Sequence, residues 1–524
     1  MARLIFLAFA ALVLLAGYLA TMAWPYGYLA WIVAAPLVLL GLIDMAQSAH
    51  AIRRNFPLIG RLRYVFESIR PEMHQYFIES DTNGTPFSRE QRSVVYQRAK
   101  GELDTVPFGT RHDVYAEGYT WIDHSLAPVH IEGDPRVTVG GPDCKQPYEA
   151  SVLNISAMSF GSLSPTAIRA LNSAAKDGCF AHNTGEGGIS PYHEQGGGDL
   201  IWQLGTGYFG CRAEDGGFDP EKFRARAASP QVKMIEIKLS QGAKPGHGGI
   251  LPAKKVTPEI SKIRGVPLGK DVISPPGHKA FSTPVGLLQF VAQLRELSDG
   301  KPIGFKLCVG SPSQFLAICK AMLETGITPD YIAVDGGEGG TGAAPLEFTN
   351  AVGRPLFDGL AFVHGALVGA GRRDRIRIIA SGRVLNGFDI AVRLALGADL
   401  CYSARGMMFA LGCIQALRCN NNTCPAGVAT QDPRLYGGLV VVDKRRRVAN
   451  FHHSTIRHFF DLLGAAGCDH PSKLEPGMVH RRMGDNRVSS FAELYGTVEP
   501  GALLTDRIPE RYAEPWRRAR ADTF

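Results

Sequence analysis

An α/β fold built on a (βα)8, TIM-type barrel and preceded by an N-terminal transmembrane helical hairpin is what the sequence predicts. Three observations lead there. No charged side chain occurs from Leu4 to Ile43. Beyond Tyr148, short apolar runs alternate with amphipathic stretches, the rhythm of strand and helix. The residues with chemistry fall just after those runs, where parallel barrels carry their sites.

The charge-free region holds two segments, Leu4 to Trp24 and about Tyr26 to Ile43, and a helical span needs about 20 apolar residues. Trp24, Pro25, Tyr26, Gly27 and Tyr28 between them read as a turn with interfacial aromatics. Asp44 ends the second run, and Arg53, Arg54, Arg61 and Arg63 follow it. By the positive-inside rule the remainder is cytoplasmic and the chain belongs to a plasma or inner membrane. A signal peptide ending near Ala23, leaving one anchor, is the competing reading. We therefore divide the chain into a hairpin (1–45), a helical juxtamembrane and docking region (46–147), a barrel (148–470) and a C-terminal tail (471–524). From Ala46 to Thr110 the pattern is helical and polar, with breaks expected at Pro57, Pro71 and Pro86.

Eight runs are expected as barrel strands: Ala150–Ser156, Phe180–Asn183, Met234–Leu239, Val272–Ser274, Ile303–Leu307, Tyr331–Val334, Ile376–Ala380 and Leu400–Ser403. Helices are expected over Thr166–Lys176, Pro284–Leu297, Ser313–Thr325 and Phe388–Leu396. Strand ends carry Met158-Ser159-Phe160-Gly161 and the loop of Glu186 in NTGEGG. They also carry Lys238 and Gln241 in KLSQGAKPG, Lys306, and Asp335-Gly336 with Gly340, Thr341 and Gly342. Ser381-Gly382-Arg383 and Arg405-Gly406 close the series. Backbone N–H groups of the last two barrel loops are the usual phosphate cradle. A lysine inside an apolar strand, as at Lys238 and Lys306, is costly unless paired. A phosphate, a flavin ring, a substrate carboxylate or an internal salt bridge are the partners open to it.

Cys413, Cys419 and Cys424 form a C-x5-C-x4-C array, and Pro425 follows the last. Short loop spacing and a terminal Cys-Pro step favour an iron–sulfur site. Zinc, which prefers four closed ligands, and a disulfide with one spare thiol are the alternatives.

Sixty glycines in 524 residues exceed the usual share of about 7%, and they cluster in loops such as GEGG, GHGG and GGEGGTG. Ten cysteines, sparse outside the one array, do not form a secreted disulfide framework. The net charge of +7 gathers after the hairpin, at Lys444 to Arg447 and at Arg517, Arg518 and Arg520. No nucleic-acid-binding motif accompanies these clusters, so nucleic acid is not an expected partner.

AMSFGSLSPTAI, NTGEGG, KLSQGAKPGHGGILPAKKVTPEI, ISPPGH, VDGGEGGTGAAP and LGCIQALRCNNNTCPAGVATQDP occur in that order. Through these stretches the chain from about Tyr148 to Leu463 resembles the FMN-binding synthase domain of glutamate synthase, in its short membrane-associated branch. The resemblance implies an FMN-binding (βα)8 barrel, with Cys413, Cys419 and Cys424 holding a [3Fe–4S] cluster. It implies an oxidoreductase that reductively aminates 2-oxoglutarate or a similar 2-oxo acid. Lys238, Lys306 and Asp335 are then the catalytic candidates, with Asp335 and Glu338 positioning a ribityl hydroxyl or shuttling a proton. A separate electron donor, a ferredoxin or a reductase subunit, is expected.

The departures from the family are specific. A hairpin stands where full-length enzymes carry a cysteine-nucleophile glutaminase domain, and no Cys follows Met1, so ammonia released elsewhere is the expected nitrogen donor. His247 occupies a position where the large synthases usually carry Glu. Alternatives are an FMN oxidoreductase of another amino or hydroxy acid, and an electron-transfer subunit.

Overall fold

The computed structural model describes residues 1–484 and 486–524. It divides into two compact units, Met1–Arg89 and Glu90–Phe524.

In the first unit, α1 (Ala2–Ala23) and α2 (Ala30–Ala46) form an antiparallel pair joined by the turn at Trp24–Leu29. Both are long and apolar enough to cross a bilayer. Gly41 lets them approach, since a Cβ there would overlap the ring of Phe6. Phe6, Ala10 and Val38 make the small core between them. A short helix, Ala51–Asn55, leads into α3 (Ile59–Met73). The break expected at Pro57 is present, but α3 runs through Pro71, whose ring sits one turn from the helix end.

The second unit is the expected closed barrel. Its eight parallel strands are β1 (Leu153–Ile155), β2 (His182–Asn183), β3 (Leu200–Leu204), β4 (Val232–Lys238), β5 (Ile303–Cys308), β6 (Tyr331–Asp335), β7 (Arg377–Ser381) and β8 (Leu400–Ser403). Each pairs with its sequence neighbour, and β8 closes on β1 through Tyr402 opposite Asn154. Two sequence expectations need correction. Leu200–Leu204, which was not expected as a strand, is the third stave. Val272–Ser274 is not in the barrel: Val272–Ile273 pairs antiparallel with Ile250–Leu251 in a two-stranded excursion. Charged Lys270 and Asp271 before it and two prolines after it leave too short a run to span a barrel wall.

The outer helices include α4 (Pro165–Gly178), α5 (Pro284–Leu297), α6 (Pro312–Thr325), α7 (Leu356–Gly369) and α8 (Gly387–Ala395). The short α9 (Arg405–Leu411) follows β8, and the long α10 (Val441–Ala465) packs on α4 and α8. Their starts are written locally. Ser164 and Thr283 accept the N3 amides of α4 and α5, each with Pro at the first helical position.

Because strand side chains alternate, one parity of each stave points inward. At the base those positions are apolar: Ala181, Ile201, Met234, Ala333, Ile379 and Leu400 pack together with Tyr331 and Tyr402. Val139 and Ala150, from the antiparallel pair Val137–Val139 and Tyr148–Ala150, complete this plug. Two residues further along each stave the same parity becomes polar: Asn183, Gln203, Glu236, Asp335 and Ser381. The base is a packed core, and the strands deliver polar groups only toward their C-terminal ends.

Candidate active site at the barrel mouth

Glu236 lies in the first polar layer with no solvent exposure. Its Oε1 accepts from Asn183 Nδ2 at 2.9 Å and Gln203 Nε2 at 2.6 Å, while Oε2 has no hydrogen-bond partner among the described residues. Burial pushes its carboxyl above the usual range, against the opposing pull of Lys306.

One layer higher, Lys238 at the end of β4 meets Glu186 from the loop after β2, Nζ to Oε1 at 2.7 Å. Burial alone would raise Glu186, but Lys238, Lys244 and Arg264 hold its carboxyl below the usual range. Three cations therefore surround one carboxylate. Lys244 is 3% exposed, and its ammonium makes no hydrogen bond among the described residues. Burial, then the like charge of Lys238, draws it down to about 8. Arg264 Nη2 donates to Phe160 O at 2.9 Å, its Nε has no hydrogen-bond partner among the described residues, and burial lowers the guanidinium to about 10. The excess positive charge, inside a low-dielectric wall, fits an anionic ligand. His278 braces the site. Its Nε2 donates to Lys238 O at 2.9 Å, which leaves Nδ1 to accept from Tyr208 OH at 3.0 Å.

Lys306 makes the second ion pair, with Asp335 at 3.4 Å. Asp335 Oδ2 also accepts the Gly242 amide at 2.9 Å. Both strand lysines are thus satisfied by carboxylates of the chain itself. Gly242 is required there, because a Cβ would lie 1.8 Å from Gly336 O. Gln241 Nε2 donates to Thr341 Oγ1 at 3.2 Å, tying the loop after β4 to the loop after β6. Gly340 packs against the side chain of Arg405, whose Nη2 donates to Glu338 O at 2.9 Å. Space is open around Gly342. The Glu338 carboxylate accepts the Leu356 amide, at 3.1 Å from Oε2, and so closes the loop after β6 onto α7.

After β7, Ser381 Oγ lies 3.5 Å from Ser156 Oγ, Gly382 adopts φ +154°, and Arg383 is left-handed at φ +50°. Burial, and then the charge of Arg383, lowers Arg405 to about 10, with Asp335 and Glu338 opposing. Gly406 fits closely against Ser403 Oγ and Val384 O. Met158 and Ser159 are buried beneath Gly185, where a Cβ would reach Ser159 N at 2.7 Å, and Gly161 lies against Arg264. A cavity of about 680 Å³ opens beside this face, lined by Glu338, Arg383, Gly353, Phe357 and Arg393. It flanks the Arg383 side of the mouth and does not include Lys238 or Lys306.

A flavin phosphate suits the Arg383 and Arg405 guanidiniums, which stand close enough to repel each other. The glycine contacts admit a flat ligand against the backbone of the loops after β4 and β6.

Cys413, Cys419 and Cys424 follow α9 in an irregular loop. The loop brings the three thiols into one electrostatic neighbourhood: burial, with Cys419 and Cys424 contributing, pushes Cys413 to about 12. Lys255 lies beside Cys419 and Cys424, its ammonium donating to Ser162 O and Ala429 O at 3.0 Å each. Among the described residues, however, no three His, Cys, Asp or Glu side chains are grouped closely enough to hold a metal ion. The donor chemistry, three thiols that feel one another's charge, suits a soft cluster.

The mouth thus collects the residues expected from sequence and adds Lys244, Arg264, Glu236 and His278. Lys244 lies inside KLSQGAKPGHGGILPAKKVTPEI, where the signal for it is a basic residue in a glycine loop. Arg264 carried no such signal, since it ends a helix on the Ile250–Ile273 excursion. His247 faces its own loop, with Nδ1 3.0 Å from Gly248 O and its ring edge on Phe348.

Residues 140–469 match the family described as the conserved region in glutamate synthase. The chain belongs to that family. It is 38% identical over 508 residues to the glutamate synthase large subunit-like protein YerD of Bacillus subtilis, covering 88% of this chain and 96% of that one. It is 37% identical over 318 residues to the archaeal glutamate synthase [NADPH] of Methanocaldococcus jannaschii, covering 60% of this chain and 58% of the relative. An archaeal-type glutamate synthase [NADPH] of Thermotoga maritima is 35% identical over 354 residues, at 66% coverage of each.

Proposed function

We propose that this chain is an FMN- and iron–sulfur-dependent oxidoreductase of glutamate synthase type. In this reading it reductively aminates 2-oxoglutarate, or a similar 2-oxo dicarboxylate, with ammonia. The observation that carries the substrate class is the excess of Lys238, Lys244 and Arg264 over Glu186 at the barrel mouth. Membership of the glutamate synthase family supports the reaction class.

FMN would be held by the loops bearing Met158–Gly161, Gln241–Gly242, Asp335–Gly342, Ser381–Arg383 and Arg405–Gly406, and it supplies hydride transfer when bound. The chain's own groups do the rest. Arg264 and Lys244 bind carboxylate, with Arg264 held in place by Phe160 O. Glu186 fixes Lys238, so that its ammonium stands ready for the negative charge that develops on reduction. Lys244, drawn down to about 8, holds a proton that it can release near neutral pH. Asp335 keeps Lys306 and the Gly242 loop in register. Cys413, Cys419 and Cys424 would hold the [3Fe–4S] cluster that receives electrons from a separate donor. The thiols of Cys144, Cys308, Cys319 and Cys401 are pushed up by burial, to about 11 or 12. We also read α1 and α2 as a membrane hairpin with the barrel in the cytoplasm, supported by their apolar length and the arginines that follow.

The test is anaerobic. The purified protein is reduced chemically, 2-oxoglutarate and ammonium are added, and flavin reoxidation is followed with product analysis. Glutamate is the expected product. Rapid reoxidation by another oxo acid without glutamate would transfer the assignment to an FMN oxidoreductase of different substrate. Cys413→Ser, Cys419→Ser and Cys424→Ser should each lose iron and acid-labile sulfide, and Cys144→Ser should not.

A further inference from the structure

The helix that follows the hairpin has an apolar face that the rest of its own unit, Met1–Arg89, leaves open. Along α3 and its wider final turn to Ile78, Ile59, Leu62, Phe66, Ile69, Met73 and Phe77 recur at steps of three and four. That spacing puts them on one side of a helix. All six are exposed, from 43% at Ile69 and Met73 to 77% at Phe77. A stripe of large apolar groups this long is not ordinary surface for a soluble helix.

Its position relative to α1 and α2 is set by named contacts. Arg61 Nε pairs with Asp44 at 2.8 Å, and the Leu58 amide donates to the same carboxylate at 3.2 Å. Leu58 packs against the Phe6, Ala10 and Val38 core. Arg3, at the start of α1, donates to Arg54 O and Asn55 Oδ1 at 2.8 Å each. The chain therefore enters α3 at the end of the hairpin where α1 begins and α2 stops, which is where the apolar spans give way to charge. Helical spacing places Arg63 and Arg70 on one border of the stripe. Arg53 and Arg54 stand just upstream, with Arg53 stacked on Tyr64 at 4.4 Å.

We propose that α3 lies along the membrane surface, with its apolar stripe seated among acyl chains and its bordering arginines on anionic lipid headgroups. A basic amphipathic helix with an unpartnered apolar face binds an interface by both terms together. Arginine stems beside the stripe reach back to the headgroups while their guanidiniums stay hydrated. This inference rests on the reading of α1 and α2 as a membrane hairpin.

The test uses the full chain with Phe66→Trp, in vesicles of brominated phosphatidylcholine with phosphatidylglycerol, against the unmodified protein in the same vesicles. The added tryptophan emission should shift to the blue and lose about half its intensity, as expected for a side chain inserted at the acyl boundary. Adding Arg63→Gln and Arg70→Gln, or omitting phosphatidylglycerol, should weaken that quenching. In a second variant, Leu62→Glu with Ile69→Glu should abolish it. Water-like, unquenched emission from position 66, while Trp24 and Trp31 of the hairpin are quenched, would overturn the proposal and leave the hairpin reading intact. Blue-shifted emission that bromine does not quench would mean that protein covers the stripe, and it too overturns the proposal. If Trp24 and Trp31 are themselves unquenched and alkaline carbonate extracts the chain, the membrane reading fails and this inference falls with it.

Discussion

At the barrel mouth, Lys238, Lys244, Arg264 and Lys306 are buried around the carboxylates of Glu186 and Asp335, whereas α3 leaves six large apolar side chains in the open. Both arrangements go against what water favours, and they differ in where the remedy lies. A buried charge without a partner costs too much to persist, so the chain builds the carboxylates itself. Exposed apolar surface barely penalises folding, and its partner can come from outside the chain. The two surplus cations at the mouth, Lys244 and Arg264, lie between these extremes. They are tolerated by partial neutralisation against Glu186.

Breaking a built pair should have the largest effect. Glu186→Gln leaves Lys238, Lys244 and Arg264 buried without their carboxylate, and should cost about 3–5 kcal/mol of stability. Denaturant unfolding of the purified protein measures it, and Lys238→Met in the same chain should recover much of the loss. An effect below about 1 kcal/mol would mean that water already screens the cluster.

Lys306→Ala tests the other pair through chemistry. It should lower turnover about a hundredfold, the scale of one lost electrostatic donor, while flavin stays bound. The ratio of flavin absorbance to protein separates the two effects, and loss of FMN would make Lys306 a cofactor-binding group only.

A third way of living with burial is to stay neutral. His193 and His452 are pushed down by burial to about 3, and His364 to about 4. His452 is stacked on Phe180 with centroids 3.9 Å apart, and its Nε2 lies 2.9 Å from Leu153 O. Because the folded pKa values lie below the unfolded value of 6.5, these groups favour folding fully above pH 6.5. That contribution is lost as pH falls toward 3, at about 1.4 kcal/mol per pH unit for each histidine that must charge. Unfolding measured across that range should steepen accordingly, and His452→Gln should flatten the slope by one proton.

The smallest effect belongs to α3. Leu62→Glu should change the stability of the detergent-solubilised protein by no more than about 0.5 kcal/mol, because the side chain is exposed and has no packing to lose. A large destabilisation there would erase the contrast between the two regions.

Seven of the eight staves were legible because each is an apolar run ending in a loop with glycine or charge. Leu200–Leu204 escaped because Gln203 sits inside it, the residue that must face inward to serve Glu236. Val272–Ile273 had the right composition and the wrong company, since its partner Ile250–Leu251 is not a barrel stave. The same limit applies to the cysteines. Their spacing identified soft donors in one loop, and how the thiols are arranged is a property of the loop's path.

What the sequence determined by itself was local and periodic. The length of the two apolar spans and the inward parity that turns from Met234 through Glu236 to Lys238 both follow from neighbouring residues. What only the tertiary structure decided was convergence. Glu186, Lys238, Lys244 and Arg264 come from a barrel loop, a strand, a second loop and an excursion helix, and closure of the barrel alone brings three cations to one carboxylate. Charge pairing acts through space over a few ångströms, while sequence pattern records only what lies along the chain.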